Sequence, residues 1–111
     1  MKYWNVALTP EASHDLEDIY SYIRFSLHEP DIAKKLVRTI KTELKSLAQL
    51  PNRCAPVQFE PWNERGLRKR LIGNYIAIYM TLPGEQVVSV IRIVYGGQDI
   101  EQILGDLQNL P

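Results

Sequence analysis

Between Ala12 and Ala48 the apolar residues of this chain recur every three or four positions, whereas between Leu67 and Tyr95 they recur every second position. That change of period restricts the fold more than any other feature, because a 3.6-residue rhythm lines one face of a helix and a two-residue rhythm one face of a sheet. The helical half therefore precedes the main sheet-forming half. Residues 3–8 add an earlier strand, with Trp4, Val6 and Leu8 alternating against Tyr3, Asn5 and Ala7.

The helical half divides in two. Thr9 is the expected N-cap of a first helix, Pro10 suits its first position, where the missing N–H costs nothing, and Glu11 complements the helix dipole. Ala12, Leu16, Ile19, Tyr20, Ile23 and Leu27 then form a stripe. Pro30 breaks the pattern, because it disfavours helical geometry at Glu29 and fits the first turn of a second helix. Ile32, Leu36, Val37, Ile40, Leu44, Leu47 and Ala48 make the second stripe, which ends before Pro51. So short a link predicts an antiparallel hairpin. The first helix carries Glu11, Asp15, Glu17 and Asp18, while Lys34, Arg38, Lys41 and Lys45 form a basic ridge on the second. Such a ridge is either a solvated face or a docking surface for an acidic partner.

The stretch from Pro51 to Glu64 reads as an irregular connection with Trp62 as its anchor to the core. "GLRKRLI", "NYIAIYMTL" and "QVVSVIRIVY" come next as three strands of an antiparallel meander. Gly73-Asn74 marks the first turn, and Pro83-Gly84 predicts a type II second turn. Asp99 is positioned to cap a last short helix whose apolar face is Ile100, Ile103, Leu104 and Leu107. With no repeat or linker, residues 1–111 are expected to form one α+β domain: an N-terminal strand, a helical hairpin packed on an antiparallel sheet, and a short C-terminal helix.

Charge and composition exclude several functions. Lys plus Arg equals Asp plus Glu, 13 against 13, so any binding to nucleic acid must come from a local patch. A single cysteine, Cys54, fits a reducing compartment, and no apolar run is long enough for a signal-peptide core or a membrane span, so a cytoplasmic location is expected. There is no Gly-rich phosphate loop, no paired-His metal motif and no Gly-x-Ser-x-Gly elbow, and His14 and His28 lack further ligands at metal spacing. No cofactor or metal is expected. The adjacent Glu17 and Asp18 splay apart on a helix rather than cooperating.

Arginine and tyrosine remain as the concentrated chemistry. Strand parity puts Ile76, Ile78, Met80 and Leu82 on one face, expected against the hairpin, and Tyr75, Ala77, Tyr79 and Thr81 on the other. One register then gathers Arg68, Arg70, Tyr75, Tyr79 and Arg92 on an open sheet face. Cations interleaved with aromatics suit phosphate contacts and base stacking; the alternative is cross-strand stacking and salt bridging on a solvated face. Metal-independent RNA cleavage uses such groups when several cations converge, with an oriented tyrosine assisting.

"LTPEASHDLEDIYSYI", "SLAQLPNR", "GLRKRLIGNYIAIYM" and "VIRIVYGGQDIEQIL" together resemble the RelE/ParE superfamily of type II toxin–antitoxin toxins over nearly the whole chain. The resemblance implies a helical hairpin on an antiparallel sheet, growth inhibition, a role in plasmid stabilisation, and a cognate antitoxin that wraps the toxin, with Lys34, Arg38, Lys41 and Lys45 as antitoxin-binding candidates. A homodimer or a toxin–antitoxin hetero-oligomer is compatible with it. RelE-like members cleave mRNA on the ribosome, and ParE-like members poison DNA gyrase. Arg68 and Arg70 match the basic residues of the nuclease strand. The arginine expected beside the next-strand tyrosine is replaced by Ile76, the basic tract after the last strand by "YGGQD", and the C-terminal tyrosine by Ile103. If the chain is a nuclease, Arg68, Arg70, Arg92 and Tyr95 would have to supply its catalytic groups. The ending from Arg92 to Asp99 is closer to the ParE-like branch, so gyrase poisoning is placed ahead of ribosome-dependent cleavage, with an inactive module kept for antitoxin binding and autoregulation as the third reading.

Overall fold

Thr9 separates strand β1 (Asn5–Leu8) from helix α1 (Pro10–Ser21) in the computed structural model, which describes residues 3–49, 51–57, 62–97 and 102–103. Its hydroxyl accepts from the Ala12 N–H at 3.1 Å and donates to the Ile91 carbonyl at 2.8 Å. The N-cap expected from sequence thus also ties the helix to the sheet.

After Ser21 the helix widens into a π turn over Tyr22–Ser26, in which the Leu27 N–H bonds the Tyr22 carbonyl. His28, with φ 57°, then turns the chain so that the Glu29 N–H reaches the Ile23 carbonyl at 3.0 Å. An extra residue in one turn rotates the succeeding side chains out of the stripe. Ile23 is buried, but Leu27, expected on the core face, is exposed. Helix α2 (Pro30–Lys45) starts at the expected proline. Its buried side runs through Ala33, Ile40 and Leu44 and continues to Leu47 in the 3₁₀ turn Ser46–Ala48, and Ile32 at its first turn is exposed rather than in the stripe.

Strands β2 (Arg68–Ile72), β3 (Tyr75–Leu82) and β4 (Val87–Tyr95) form the expected antiparallel meander. The sheet order is β1-β4-β3-β2, and β1 runs parallel to β4, from Asn5 opposite Val87 to Leu8 opposite Val90, so the sheet is mixed. A parallel pair needs a long crossover, which the helical hairpin provides. The first turn places Gly73 at φ +58°. The expected type II turn at Pro83-Gly84 is not formed: Glu85 N–H bonds the Leu82 carbonyl at 3.1 Å without a left-handed Gly84, and the left-handed residue is Gln86, at φ 52°. Proline and glycine thus mark the loop correctly while the strand ends choose a turn whose left-handed residue comes two positions later.

The sheet carries a core on each face. Ala77 and Tyr79 of β3 join Val88, Val90 and Ile93 against Ala12, Leu16, Ile40, Leu44 and Leu47 of the hairpin layer. Ile78 and Val94 pack on the opposite side with Val57, Trp62 and Leu67, joined by Ile76, Met80 and Ile103. This reverses the expected assignment of β3's two faces. The strand is apolar on both, so alternation alone does not say which one the helices take. The second face is covered by the connection, with Trp62 buried at 3% exposure as its expected anchor. Residues 55–57 also run along the outer rim of β2, where Val57 N–H bonds the Leu67 carbonyl and Lys69 N–H the Ala55 carbonyl. Of the expected C-terminal helix, Gln102 and Ile103 are helical; Asp99, Ile100, Leu104 and Leu107 lie outside the described residues. Among the described residues no helix is long and apolar enough to cross a membrane.

Candidate functional site

The five residues expected on one open face separate into two groups. Arg68 lies opposite Tyr79 and Arg70 opposite Ala77, so both arginines rise on the hairpin side at the sheet margin. Arg68 Nη1 donates to the Cys54 carbonyl at 2.6 Å, and Arg70 Nη2 meets the Glu43 carboxylate of α2 at 2.5 Å. The hydrogen bond that Arg70 donates to Glu43 raises its pKa. Tyr79 is fully buried, and its hydroxyl donates to the Pro51 carbonyl. Burial pushes its phenol far above the ordinary tyrosine range. The open Arg–Tyr face expected from sequence does not form: Arg68, Arg70 and Tyr79 share one face, as strand parity requires, but the hairpin layer packs on it.

The second group sits four residues along β3, about 13 Å away at the usual strand rise. Tyr75 packs edge-to-face with Tyr95, centroids 5.7 Å apart and planes at 72°. Pairing of β3 with β4 slips between Ile78 and Tyr79, whose partners are Arg92 and Val90, leaving Ile91 as the bulged residue. Val90 and Ile93 both face the hairpin as a result, which changes the parity expected for the residues around Arg92. Arg92 forms a two-pronged ion pair with Asp15 of α1, Nε at 2.6 Å and Nη2 at 2.9 Å. Asp15 also accepts from the Ile93 N–H at 3.0 Å.

Tyr22, at the start of the π turn, completes an open groove of about 690 Å³ with Asp15, Asp18, Tyr75, Arg92 and Tyr95. The Tyr75 phenol is raised chiefly by burial and secondarily by the neighbouring Tyr95 and Tyr22. Sequence reasoning named Tyr75, Arg92 and Tyr95 but missed Asp15 and Tyr22. A signal for Asp15 was present: it stands three residues after Ala12 and four before Ile19, an acid within the apolar stripe, and a half-buried acid calls for a cation.

Lys34, Arg38, Lys41 and Lys45 are all exposed along α2. Lys41 borders a second groove, about 530 Å³, between the two helices, lined also by Leu16, Glu17, Tyr20 and Val37. The ridge is thus assembled as expected from its spacing, on a surface distinct from the tyrosine groove.

Arg68, Arg70 and Arg92 each turn to an acceptor of this chain instead of converging on a common point. A family model described as the ParE toxin of type II toxin–antitoxin system, parDE, matches residues 6–100. The chain belongs to the ParE toxin family. Among solved structures, the ParE-like fold is shared with a chain of the chromosomal ParDE system from P. aeruginosa, 25% identical, covering 84% of this chain and 96% of that one with a TM-score of 0.69. A mutant of E. coli toxin RelE in the free state covers 99% of this chain and 100% of its own at 15% identity and a TM-score of 0.66. A chain of the RelBE2 toxin–antitoxin complex from Mycobacterium tuberculosis covers 86% and 93% at 20% identity, with a TM-score of 0.60. No curated protein matches. This ParE-family chain is a type II toxin that inhibits growth by acting on a macromolecular target.

Proposed function

We propose that this toxin poisons DNA gyrase by binding it, and that a cognate antitoxin neutralises it. The observation that carries this reading over RNA cleavage is the dispersal of the arginines. Arg68 is engaged by the Cys54 carbonyl, Arg70 by Glu43 and Arg92 by Asp15, with Tyr95 at the Arg92 end of the sheet. A metal-independent nuclease needs several donors aimed at one phosphate, and each oriented donor contributes about 100-fold or more in rate. Membership of the ParE family supports the same reading.

Induction in cells followed by primer extension and by detection of gyrase–DNA breaks tests it. The expected result is trapped breaks with intact mRNA. Codon-phased mRNA cuts would overturn the reading in favour of a ribosome-dependent nuclease, and neither lesion would mark an inactive module kept for antitoxin binding. In the same assay Arg68→Ala with Arg70→Ala is expected to lower toxicity in step with loss of folded protein, because both side chains tie β2 to its neighbours. The antitoxin is assigned to the α2 ridge of Lys34, Arg38, Lys41 and Lys45, whose exposed charge attracts an acidic segment. Complex formation is then expected to weaken steeply with added salt.

A further inference from the structure

Two backbone irregularities border a single groove, a π turn that opens at Tyr22 and a β-bulge at Ile91. Asp15, Asp18, Ile19 and Tyr22 line it at regular helical spacing up to the first residue of the π turn, and the bulge immediately precedes Arg92, which lines it from β4. A bulge costs regular hydrogen bonding and recurs where a side chain must point somewhere a regular strand would not send it. Of the rings that line the groove, Tyr22 is 58% exposed and Tyr95 52%.

The lining is chemically selective. Three tyrosines present electron-rich ring faces, while two carboxylates, Asp15 and Asp18, stand against one guanidinium, Arg92, leaving one net negative charge. Asp15 is committed to Arg92 and the Ile93 N–H. Asp18 is exposed, and its partner among the described residues is His14 at 3.7 Å, itself exposed. Ring faces beside a carboxylate attract a cation, and a planar guanidinium stacks on tyrosine and reaches a carboxylate with the same fork.

We propose that this groove is a docking site for an arginine side chain presented by a partner protein, the guanidinium stacked among Tyr22, Tyr75 and Tyr95 and hydrogen-bonded to Asp18. Charge complementarity decides for such a segment over an acidic or purely apolar one. The site is separate from the basic ridge of α2, which selects partners of opposite charge, and it stands whichever macromolecule the toxin inhibits.

The test is a titration of the isotope-labelled full chain, followed by amide resonances, with acetyl-Gly-Arg-Gly-amide and with its neutral isostere acetyl-Gly-citrulline-Gly-amide. The arginine peptide is expected to shift Ile19, Tyr22, Tyr75 and Ile93, and the citrulline peptide to bind about tenfold more weakly. Asp18→Asn and Tyr22→Leu, both at exposed positions, are expected to weaken the arginine peptide about three- to tenfold while the remaining resonances stay in place. Equal binding of the two peptides, shifts confined to other surfaces, or unaltered affinity in both variants would overturn the proposal. So would methylguanidinium binding as tightly as the peptide, since the groove would then be a site for a small cation rather than for a protein segment.

Discussion

Tyr79 shows how one side chain exchanges a surface role for a structural one. Its ring fills the space beneath the hairpin, and its hydroxyl holds the Pro51 carbonyl at the entry to the connection. Replacing it with phenylalanine is expected to cost about 1 kcal/mol, the worth of a buried hydrogen bond whose acceptor is left unsatisfied. The raised phenol pKa adds a pH signature. Above about pH 10 the unfolded chain releases a proton that folded Tyr79 retains, so stability is fully present below that pH and falls as pH rises. Urea denaturation of wild type and Tyr79→Phe at neutral and alkaline pH checks this, with the variant losing less stability between the two. An equal loss in both would remove Tyr79 as the titrating group.

At the scale of the elements, α1 is tied to the sheet at two points. Thr9 caps it and reaches the Ile91 carbonyl, and nearly two turns later Asp15 takes Arg92 and the Ile93 N–H. Both ties land beside the β4 bulge, so the helix and the irregularity stabilise each other. Asp15→Ala strands a half-buried guanidinium and a backbone N–H together, and is expected to cost about 3 kcal/mol. Arg92→Ala leaves Asp15 with the Ile93 N–H and should cost less. A double-mutant cycle read by denaturant unfolding is expected to return a coupling above about 1 kcal/mol, and additive effects would mean that the pair contributes nothing of its own. The two stripes were readable in α1 and α2 because helical spacing is local. The π turn after Ser21 was not, since nothing in "YIRFS" by itself favours a wider turn over a regular one.

For the molecule as a whole, the sheet is a shared wall between the hairpin core and a smaller core under the connection. Trp62 anchors the second, and Trp62→Ala is expected to cost about 3–5 kcal/mol, a large part of the stability of a domain this size. A shift of the urea midpoint reads it; a loss below about 1 kcal/mol would mean that the connection does not depend on its anchor. The sequence by itself determined the order of the elements, the caps and breaks at Thr9, Pro10 and Pro30, the strand rhythm and the basic ridge, because each is fixed by interactions within a few residues. Only the tertiary structure decided which face of β3 meets the helices, that Tyr79 is buried, that β1 runs parallel to β4, and that Asp15 seats Arg92. Those outcomes depend on long-range packing: a strand apolar on both faces suits either side equally, and a charge finds its partner only when distant segments meet.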